Sequence, residues 1–249
     1  MSTPNTLFLF GPNGNLGPIW SEAAKESGWS VVGLGLAPAV SEAAEPSFEF
    51  HSFDLINFDE AKLMELLTKF EPNTVIFNSG IDSPPGAGCS KLQEFELNSW
   101  QKIFEVNLFG FINVMNIVLK HKSKVSNVIV VGSMYATLSP NFHLYSHFNE
   151  NKGLLKHPGY GASKAALKSV VEQYSATLAR EGVRLNMLSP GGVKGSQDPE
   201  FLTKFSERTP MARLADAREL KSALKFLLDP ENSYMTGQNI EVNGGYNIW

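Results

Sequence analysis

The sequence predicts a doubly wound α/β fold, in which a parallel sheet carries helices on both faces and forms a single domain. Seven short apolar runs lack an alternation of apolar and polar residues, which is typical of strands buried on both faces. Segments with the helical period of apolar residues lie between several of these runs, so strands and helices alternate. The 249 residues contain no repeat, low-complexity segment or linker, and this favours one domain.

The predicted elements follow in chain order. The predicted strands are Leu7–Phe10, Val31–Leu36, Phe48–Phe53, Thr74–Phe77, Val128–Val131, Val183–Leu188 and Asn239–Val242. The predicted helical segments are Phe58–Phe70, Leu97–Lys120, Gly161–Arg180 and Asp216–Leu228, with a further helix directly after the first strand. Two stretches break the alternation. These are Asp82–Ser90, rich in Pro and Gly, and Leu138–Pro158, rich in His, Asn and aromatic residues, a long loop of the kind that is often functional.

The composition excludes several classes of protein. Hydrophobic residues make up 43% of the chain and charged residues 18%, which is typical of a globular protein and argues against disorder. The net charge of -4 and the lack of a long basic run favour neither nucleic acid nor a membrane as a partner. One cysteine, Cys89, cannot form an internal disulfide, and the N-terminus has only the short apolar run Thr6–Phe10. We therefore expect a cytoplasmic protein with a small-molecule partner.

A glycine-rich segment, Gly11-Pro-Asn-Gly14-Asn-Leu-Gly17, follows the first strand and opens a helix. Glycines allow a tight turn and a close approach to a pyrophosphate, and a helix N-terminus offers unpaired N–H groups. This spacing also occurs in ordinary turns, but its place in the first βα unit favours nucleotide binding.

The choice between NAD and NADP rests on the residues after the second strand. An acidic residue there accepts a hydrogen bond from the ribose 2′-hydroxyl, whereas an Arg accommodates a 2′-phosphate. Gly33–Pro38 contains neither, and Met1–Trp20 contains no Lys or Arg. Because an unpaired phosphate is the costlier arrangement, the sequence favours NAD as the cofactor over NADP.

Tyr160 and Lys164 lie four residues apart in a predicted helix and therefore share one of its faces. A nearby ammonium favours the phenolate, so we expect Lys164 to lower the pKa of Tyr160 from about 10. Such a tyrosine can act as a general acid or base. Taken alone, the pair is more typical of a solvated helix face than of a catalytic site.

Further landmarks decide between these interpretations, and with them the chain resembles the short-chain dehydrogenase/reductase family over nearly its whole length. The landmarks are Asn78-Ser-Gly80 at a strand end, Asn107 in a helix, Ser133 at the next strand end, Pro190-Gly191 after a late strand, and Thr236–Gly245 near the C-terminus. The resemblance implies a Rossmann-type domain and an NAD(P)-dependent oxidoreductase acting on an alcohol or carbonyl group.

The resemblance also implies roles for individual residues. Tyr160 transfers the proton, Lys164 also binds the nicotinamide ribose, Ser133 bonds the substrate oxygen and Asn107 holds a water that relays protons. The expected cofactor-binding residues are Gly11, Asn13, Gly14, Asn15, Leu16, Gly17, Asp54, Leu55, Asn78, Ser79, Gly80, Tyr160, Lys164, Pro190, Gly191 and Val193. The expected substrate-binding residues are Ser133, Tyr135, His143, Tyr145, Tyr160 and Gln197.

The chain departs from the family pattern in two places. Phe10 replaces a Thr before the glycine-rich segment, and Asn15 stands where the middle glycine usually falls. Gly195 occupies the position of a Thr that usually follows Pro-Gly, with Ser196 beside it. These departures put the affinity for the cofactor in doubt more than the catalytic residues.

The segment between Ser133 and Tyr160 points to the substrate. Their separation of 27 residues, 160 minus 133, is about twice the family's usual spacing. We expect the inserted chain, within Leu138–Pro158, to line the substrate pocket, with side chains that suit a sugar-like ligand. Those side chains are Asn141, His143, Tyr145, His147, Asn149 and Glu150.

The chain also resembles one subgroup of the family, bacterial dehydrogenases associated with sialic-acid-like sugars, flagellin glycosylation and surface polysaccharides. The residues that carry this second resemblance are Ser133–Ala136, Ser139–Tyr145, Ser189–Val193 and Gly244–Trp249. The alternatives are another carbonyl substrate, such as an acyl thioester, and a nucleotide-binding relative that has lost turnover.

Two further expectations concern metals and assembly. His143, His147 and His157 invite a metal interpretation, and the first two have the spacing of helical zinc ligands, but a polar loop is the simpler interpretation and no metal is expected. The resemblance implies a homodimer or homotetramer formed through the long helices. The apolar tail Tyr246–Trp249 is expected to pack against a neighbouring subunit, or, as the alternative, to fold back on its own domain.

Overall fold

The computed structural model describes residues 5–36, 48–82, 89–148 and 155–248, and within these ranges seven strands form one parallel sheet. The strands are β1 (Thr6–Phe10), β2 (Ser30–Gly35), β3 (Glu49–Ser52), β4 (Thr74–Phe77), β5 (Asn127–Val131), β6 (Arg184–Pro190) and β7 (Asn239–Val242). Their order across the sheet is β3-β2-β1-β4-β5-β6-β7. The predicted doubly wound α/β fold is therefore confirmed.

The helices cover both faces of this sheet. They are α1 (Gly17–Glu26), α2 (Glu60–Phe70), α3 (Leu97–Phe104), α4 (Gly110–Lys120), α5 (Pro158–Leu178), α6 (Pro199–Arg208) and α7 (Lys221–Leu228). On one face α2, α4 and α5 pack around a core that includes Phe77, Phe111 and Leu167. On the other face α1 and α7 pack around Trp20 and Leu224. Burial on both faces explains why the strand sequences are apolar without alternation.

A third, smaller cluster lies beside the sheet and includes Tyr135, Tyr145, Phe205 and Tyr246. It joins two short 3₁₀ turns, Met134–Ala136 and Phe142–Tyr145, to α6 and the C-terminal segment. Helix α6 is absent from the sequence prediction because most of its side chains are polar or charged. Its place is fixed by Asp198, whose carboxylate accepts from the N–H groups of Glu200 and Phe201, and by the burial of Phe205.

The predicted helix Leu97–Lys120 is one continuous rod with a π-helical turn at Glu105–Phe109 between α3 and α4. By length and composition this rod is long enough to cross a membrane, but half of its apolar window is buried inside the fold. Its apolar face packs on the sheet, as the core helix of a globular protein does.

The position of a binding site follows from the strand order. The chain reaches β2 and β3 on one side of β1, and β4 to β7 on the other. The connections at the carboxyl ends of β1 and β4 therefore diverge and leave a crevice between them. Gly11 directly follows β1 and Asn78 directly follows β4, so both residues lie at this crevice.

Candidate active site

A central cleft of about 720 Å³ opens at the carboxyl ends of the strands. Twelve of the predicted site residues line it: Gly14, Asn15, Leu16, Asn78, Gly80, Ser133, Tyr160, Lys164, Pro190, Gly191, Val193 and Gln197. These residues come from five separate parts of the sequence, and the fold brings them together around one cleft.

An adjacent pocket of about 520 Å³ extends from the central cleft towards β2 and β3. It is lined by the predicted residues Gly11, Asn13, Gly14, Asp54, Leu55, Asn78, Ser79 and Gly80. Gly14, Asn78 and Gly80 line both cavities, so the two form a continuous groove across the crevice.

The glycine-rich segment uses its glycines in different ways. Gly11 has a φ of 78°, and a side chain there would lie 2.8 Å from the backbone nitrogen of Ser79. At Gly17 a Cβ would lie 2.1 Å from the carbonyl oxygen of Pro12. Gly17 is buried and lines neither cavity, so it supports the loop rather than touching a ligand.

Gly14 differs because a Cβ built on it would come no closer than 3.5 Å to any neighbouring atom. It leaves an open cradle beside the N-terminus of α1, where Leu16 at the N-cap position provides no side-chain hydrogen bond. Free N–H groups and the helix dipole at such an end attract a phosphate group. The residues present therefore fit a dinucleotide. Asn15 has no positive φ, so the missing middle glycine costs no backbone strain.

Asn78 fixes the glycine-rich segment to the end of β4. Its amide nitrogen donates to the carbonyl oxygen of Gly11 over 2.7 Å, and its amide oxygen accepts from the indole N–H of Trp20 over 2.8 Å. Both bonds hold the start of α1 against the neighbouring strand.

In the adjacent pocket a carboxylate and an ammonium group are both present. Asp54 accepts from the side-chain amide of Asn57 and from the backbone N–H of Ile56, each over 2.8 Å, and these bonds lower the pKa of its carboxyl. Lys102 on α3 also lines the pocket. The sequence prediction missed this lysine because it lies far along the chain from the second strand.

Tyr160 and Lys164 lie one turn apart at the start of α5, both facing the central cleft. The pKa of Tyr160 is raised to about 12, mainly by burial and next by the charge of Asp82, while a hydrogen bond with Ser133 acts in the opposite direction. The expected lowering of this pKa below about 10 by Lys164 is therefore wrong for the protein by itself. In a buried site, loss of hydration disfavours the phenolate more than one hydroxyl hydrogen bond favours it.

Lys164 is 3% exposed, and its ammonium donates to the carbonyl oxygen of Val131 over 2.9 Å. Burial lowers the pKa of Lys164 to about 8, while Asp82 acts in the opposite direction. Ser133 is also buried, and its hydroxyl oxygen accepts from the N–H of Tyr135 over 3.1 Å. The bond aims the Ser133 hydroxyl at one fixed place beside Tyr160.

Asn107 lies behind the cleft, fully buried in the π-helical turn. Its amide oxygen accepts from the N–H of Ile81 over 2.7 Å, and its amide nitrogen donates to the carbonyl oxygen of Ile81 and to the hydroxyl of Ser163, each over 3.0 Å. The π turn points this side chain at the segment after β4, as such turns often do at functional sites.

Three predicted substrate-binding residues are placed elsewhere. Tyr135 and Tyr145 are buried because they pack in the small cluster with side chains of α6. Their hydroxyls bond to each other. His143 lines a separate surface groove with Lys204 and Arg208. In the described residues these three side chains do not line the central cleft, and their assignment to it is corrected. Asn149 and Glu150 lie outside the described residues.

Gln197 lies in the cleft, but its amide is used within its own loop. The amide oxygen accepts from the N–H of Gly195 over 2.7 Å, and the amide nitrogen donates to the carbonyl oxygen of Val193 over 2.9 Å. Gln197 thus braces the segment in which a Gly replaces the family's usual Thr.

The histidines that invited a metal interpretation point to different partners. His147 bonds to Asp198 over 2.9 Å, and His157 bonds to the hydroxyl of Ser99 over 2.7 Å. Within the described ranges, no three His, Cys, Asp or Glu side chains converge on one point.

The structure also brings Asp82 and Lys194 to the wall of the central cleft, although neither was predicted. Both follow the carboxyl end of a strand, β4 for Asp82 and β6 for Lys194. Because ligands bind at the carboxyl ends of the strands in such a sheet, the position of these two residues in the sequence was a signal that could have identified them.

A family model described as enoyl-(acyl carrier protein) reductase matches residues 71–247. Among curated relatives, the glucose 1-dehydrogenase of Gluconobacter oxydans (strain 621H) is 26% identical over 185 residues, covering 71% of this chain and 63% of the relative. The 3-oxoacyl-[acyl-carrier-protein] reductase of Vibrio cholerae is 29% identical over 160 residues, covering 62% and 60%. These alignments thus span somewhat less than two thirds of the two relatives.

Two solved structures share the fold over nearly all of the chain. A short chain dehydrogenase from Leptospira borgpetersenii with bound NAD+ gives a TM-score of 0.79 at 20% identity, over 98% of this chain and 93% of the other. The aldohexose dehydrogenase of Thermoplasma acidophilum gives 0.80 at 20% identity, over 99% and 95%.

Proposed function

The chain belongs to the short-chain dehydrogenase/reductase family of NAD(P)-dependent oxidoreductases, and from this premise we propose that Tyr160 transfers the proton in the interconversion of a secondary alcohol and a ketone. The observation that carries the proposal is the convergence of Ser133, Tyr160 and Lys164 on one wall of the central cleft. When bound there, the nicotinamide cofactor accepts or donates the hydride.

The groove provides for each part of that cofactor. The cradle at Gly14 and the N-terminus of α1 suit the pyrophosphate, and Asp54 and Leu55 suit the adenosine end. Lys164, beside Tyr160 in the central cleft, suits the ribose next to the nicotinamide. For Asn107 the role of holding a proton-relaying water rests on the family resemblance, and its side-chain amide is bonded to Ile81 and Ser163 behind this site.

In this proposal the Ser133 hydroxyl bonds the substrate oxygen while the Tyr160 hydroxyl gives or takes its proton. At neutral pH a hydroxyl with a pKa of about 12 carries its proton, and this is the form that carbonyl reduction requires. For alcohol oxidation the phenolate must form, and the buried ammonium of Lys164 is the group placed to favour it.

For the cofactor we propose a preference for NAD(H). Among residues 5–36, which include β1, α1 and β2, the one cationic side chain is Lys25 in the last turn of α1, at the end of the helix away from the glycine-rich segment. Lys102 is the one described ammonium group that lines the adjacent pocket, so it is the group that could reverse this preference. Dissociation constants for NADH and NADPH are therefore compared in the wild type and in Lys102→Met.

For the substrate we propose a sugar or sugar derivative, because the sequence resembles dehydrogenases associated with sialic-acid-like sugars. Its support is the polar wall of the cleft, where Lys194 and Ser196 offer donors and acceptors. Relatives named for sugars, glucose and aldohexose, point the same way. An acyl thioester is the second candidate, favoured by the family model and by the relative from Vibrio cholerae.

One experiment separates these candidates. Purified protein is assayed for NAD(P)H formation with aldoses, polyols and nucleotide sugars, and for NAD(P)H consumption with acetoacetyl thioesters. We expect turnover with the sugar class, and a loss of at least about a hundredfold in Tyr160→Phe without loss of NADH binding. Tyr174→Phe, on the same helix but packed on the core, is the matched control.

Faster turnover of a thioester than of any sugar would overturn the substrate proposal while leaving the chemistry intact. Full activity in Tyr160→Phe would overturn the proton-transfer role. NADPH binding tighter than NADH binding, lost in Lys102→Met, would reverse the cofactor preference and assign the phosphate to that lysine.

A further inference from the structure

An ion pair between Asp82 and Lys156 lies directly beside Tyr160, and none of the roles above uses it. Lys156 donates through Nζ to Oδ2 of Asp82. The same Nζ lies 5.1 Å from the centre of the Tyr160 ring and 5.5 Å from the centre of the Tyr135 ring. The Lys156 ammonium is therefore enclosed by one carboxylate and two aromatic rings.

The burial of Lys156 sets it apart from the other lysines that form ion pairs among the described residues. The side chain of Lys156 is 7% exposed and that of Asp82 is 34% exposed. Lys168 and Glu172, a pair on the outer side of α5, are 27% and 49% exposed. A lysine so far removed from water needs a counter-ion, and a charge in such a place acts strongly on its neighbours.

Tyr160 thus has two ammonium groups near its ring, since Nζ of Lys164 is 5.9 Å from the ring centre. Among the described residues, Asp82 is the carboxylate that acts on Tyr160, on Lys164 and on the neighbouring Tyr135. The charged or titratable groups around Tyr160, from all the elements packed near it, are Asp82, Lys156, Lys164, Tyr135, Tyr145, Tyr246 and His157.

We propose that Lys156 and Asp82 are positioning residues, a charge-compensating pair that holds the Tyr160 ring and keeps the net charge beside its hydroxyl near that of Lys164 alone. The proposal rests on the proton-transfer role proposed for Tyr160. Without Asp82, two ammonium groups would flank the tyrosine and favour the phenolate. Without Lys156, an uncompensated carboxylate would remain near the hydroxyl and disfavour it.

The pKa values agree with this arrangement in direction. Burial is the main cause of the raised pKa of Tyr160, and Asp82 is the next. Asp82 also opposes the lowering of the Lys164 pKa that burial causes. Because the carboxylate reaches both catalytic groups, the state of its partner Lys156 matters to both.

The pair is tested by following the titration of Tyr160 itself, in protein without cofactor or substrate. The chain is labelled with [4-¹³C]tyrosine, and the Tyr160 resonance among the six tyrosines is identified by its absence in Tyr160→Phe. Asp82→Asn should lower the titration midpoint by on the order of one pH unit. Adding Lys156→Met to Asp82→Asn should raise the midpoint above that of the Asp82→Asn, Lys156→Arg double variant, because methionine carries no charge whereas a guanidinium stays charged at the pH where Tyr160 titrates.

Two further variants make the comparison specific. Asp82→Asn with Lys156→Arg keeps the positive charge even at high pH, so its Tyr160 midpoint should be no higher than that of Asp82→Asn alone. Lys168→Met, on the outer face of the same helix, should leave the Tyr160 midpoint where it is in the wild type. If the methionine double variant does not fold, Lys156→Gln takes its place.

An unchanged midpoint in Asp82→Asn, or equal midpoints in the Lys156→Met and Lys156→Arg double variants, would overturn the proposal, since a merely structural pair predicts no dependence on the charge at position 156. The titration needs no turnover, so it is independent of the proposed function. The expected shifts together with an active Tyr160→Phe would keep the pair and refute the proton-transfer role. Absence of the expected shifts together with an inactive Tyr160→Phe would refute the role of the pair and leave the proton-transfer role standing. With an identified substrate, the acid limb of the kcat/KM profile should move in the same directions.

Discussion

Lys164 shows at the scale of a single residue that the proposed site costs stability. Its ammonium is 3% exposed and has one described hydrogen-bond acceptor, the carbonyl of Val131. The pKa falls from 10.5 to about 8 because burial penalises the charged form. The folded state therefore binds this proton less tightly than the unfolded state does, and at neutral pH the charged lysine opposes folding.

Lys164→Met should accordingly raise the free energy of unfolding at pH 7, by about 2 kcal/mol after the lost hydrogen bond is allowed for. Between pH 8 and about 10 the unfolded state keeps the proton that the folded state has lost, so the wild type gains stability as the pH rises and the difference narrows. Urea unfolding of both proteins from pH 7 to 10 measures the difference between their free energies of unfolding at each pH. Lys168→Met is the control, and a difference independent of pH would contradict the assignment.

At the scale of elements, the sequence predicts what local pattern determines. The strands Thr74–Phe77 and Asn239–Val242 are found at their predicted bounds, and other strands shift by one or two residues. The π-helical turn at Glu105–Phe109 could not be read locally, because Asn107 holds it through bonds to Ile81 and Ser163 in other segments.

The candidate site divides in the same way. The residues at strand ends and on one helix turn, such as Ser133, Tyr160 and Lys164, could be found from spacing. Tyr135 and Tyr145 were misplaced because their burial depends on α6, a largely polar helix that only tertiary packing fixes. The meeting of Asp82 with Lys156 joins segments 74 residues apart, beyond any local pattern.

The glycine-rich segment before α1 allows a matched pair of substitutions. Gly17→Ala would place a Cβ 2.1 Å from the carbonyl oxygen of Pro12, so the backbone must move, and we expect a loss of roughly 2 kcal/mol or more in stability. Gly14→Ala meets nothing closer than 3.5 Å, so stability should change by less than about 0.5 kcal/mol.

NADH affinity should nevertheless fall at least about tenfold in Gly14→Ala, because the methyl group occupies the proposed pyrophosphate cradle. Asn15→Gly should leave stability nearly unchanged, since Asn15 needs no positive φ. Thermal unfolding and NADH fluorescence titration give the two readouts. Undiminished NADH binding by Gly14→Ala would show that the cofactor does not use this cradle.

At the scale of the whole molecule, the C-terminal segment belongs to the domain itself as far as Tyr246. The Tyr246 ring is 2% exposed and stacks on Phe205 at 4.9 Å between ring centres. The expectation that Tyr246 packs on a neighbouring subunit is therefore wrong, because its own domain already buries it. Trp249 lies outside the described residues, while Ile248 is 75% exposed. A truncation that removes Tyr246 would damage the core rather than test assembly.

The continuous helix α3–α4 offers a sharper test of the proposed homo-oligomer. Three large apolar side chains on it are exposed, Leu97 at 70%, Phe109 at 48% and Leu119 at 37%. In a two-fold symmetric interface each copy presents the same patch, so one substitution acts twice. Phe109→Glu would place two carboxylates in such an interface and should convert the assembly to a smaller species.

Phe142 is the matched control because it is 49% exposed but lies in a 3₁₀ turn away from this helix. We expect wild type and Phe142→Glu to share a mass that is a multiple of the 27.3 kDa chain, and Phe109→Glu to fall below it in light scattering. A monomeric wild type would refute the assembly. A charge buried without a partner at a subunit contact costs on the order of 3 to 5 kcal/mol and would not leave the assembly intact. An unchanged mass for Phe109→Glu would therefore place the interface on another surface.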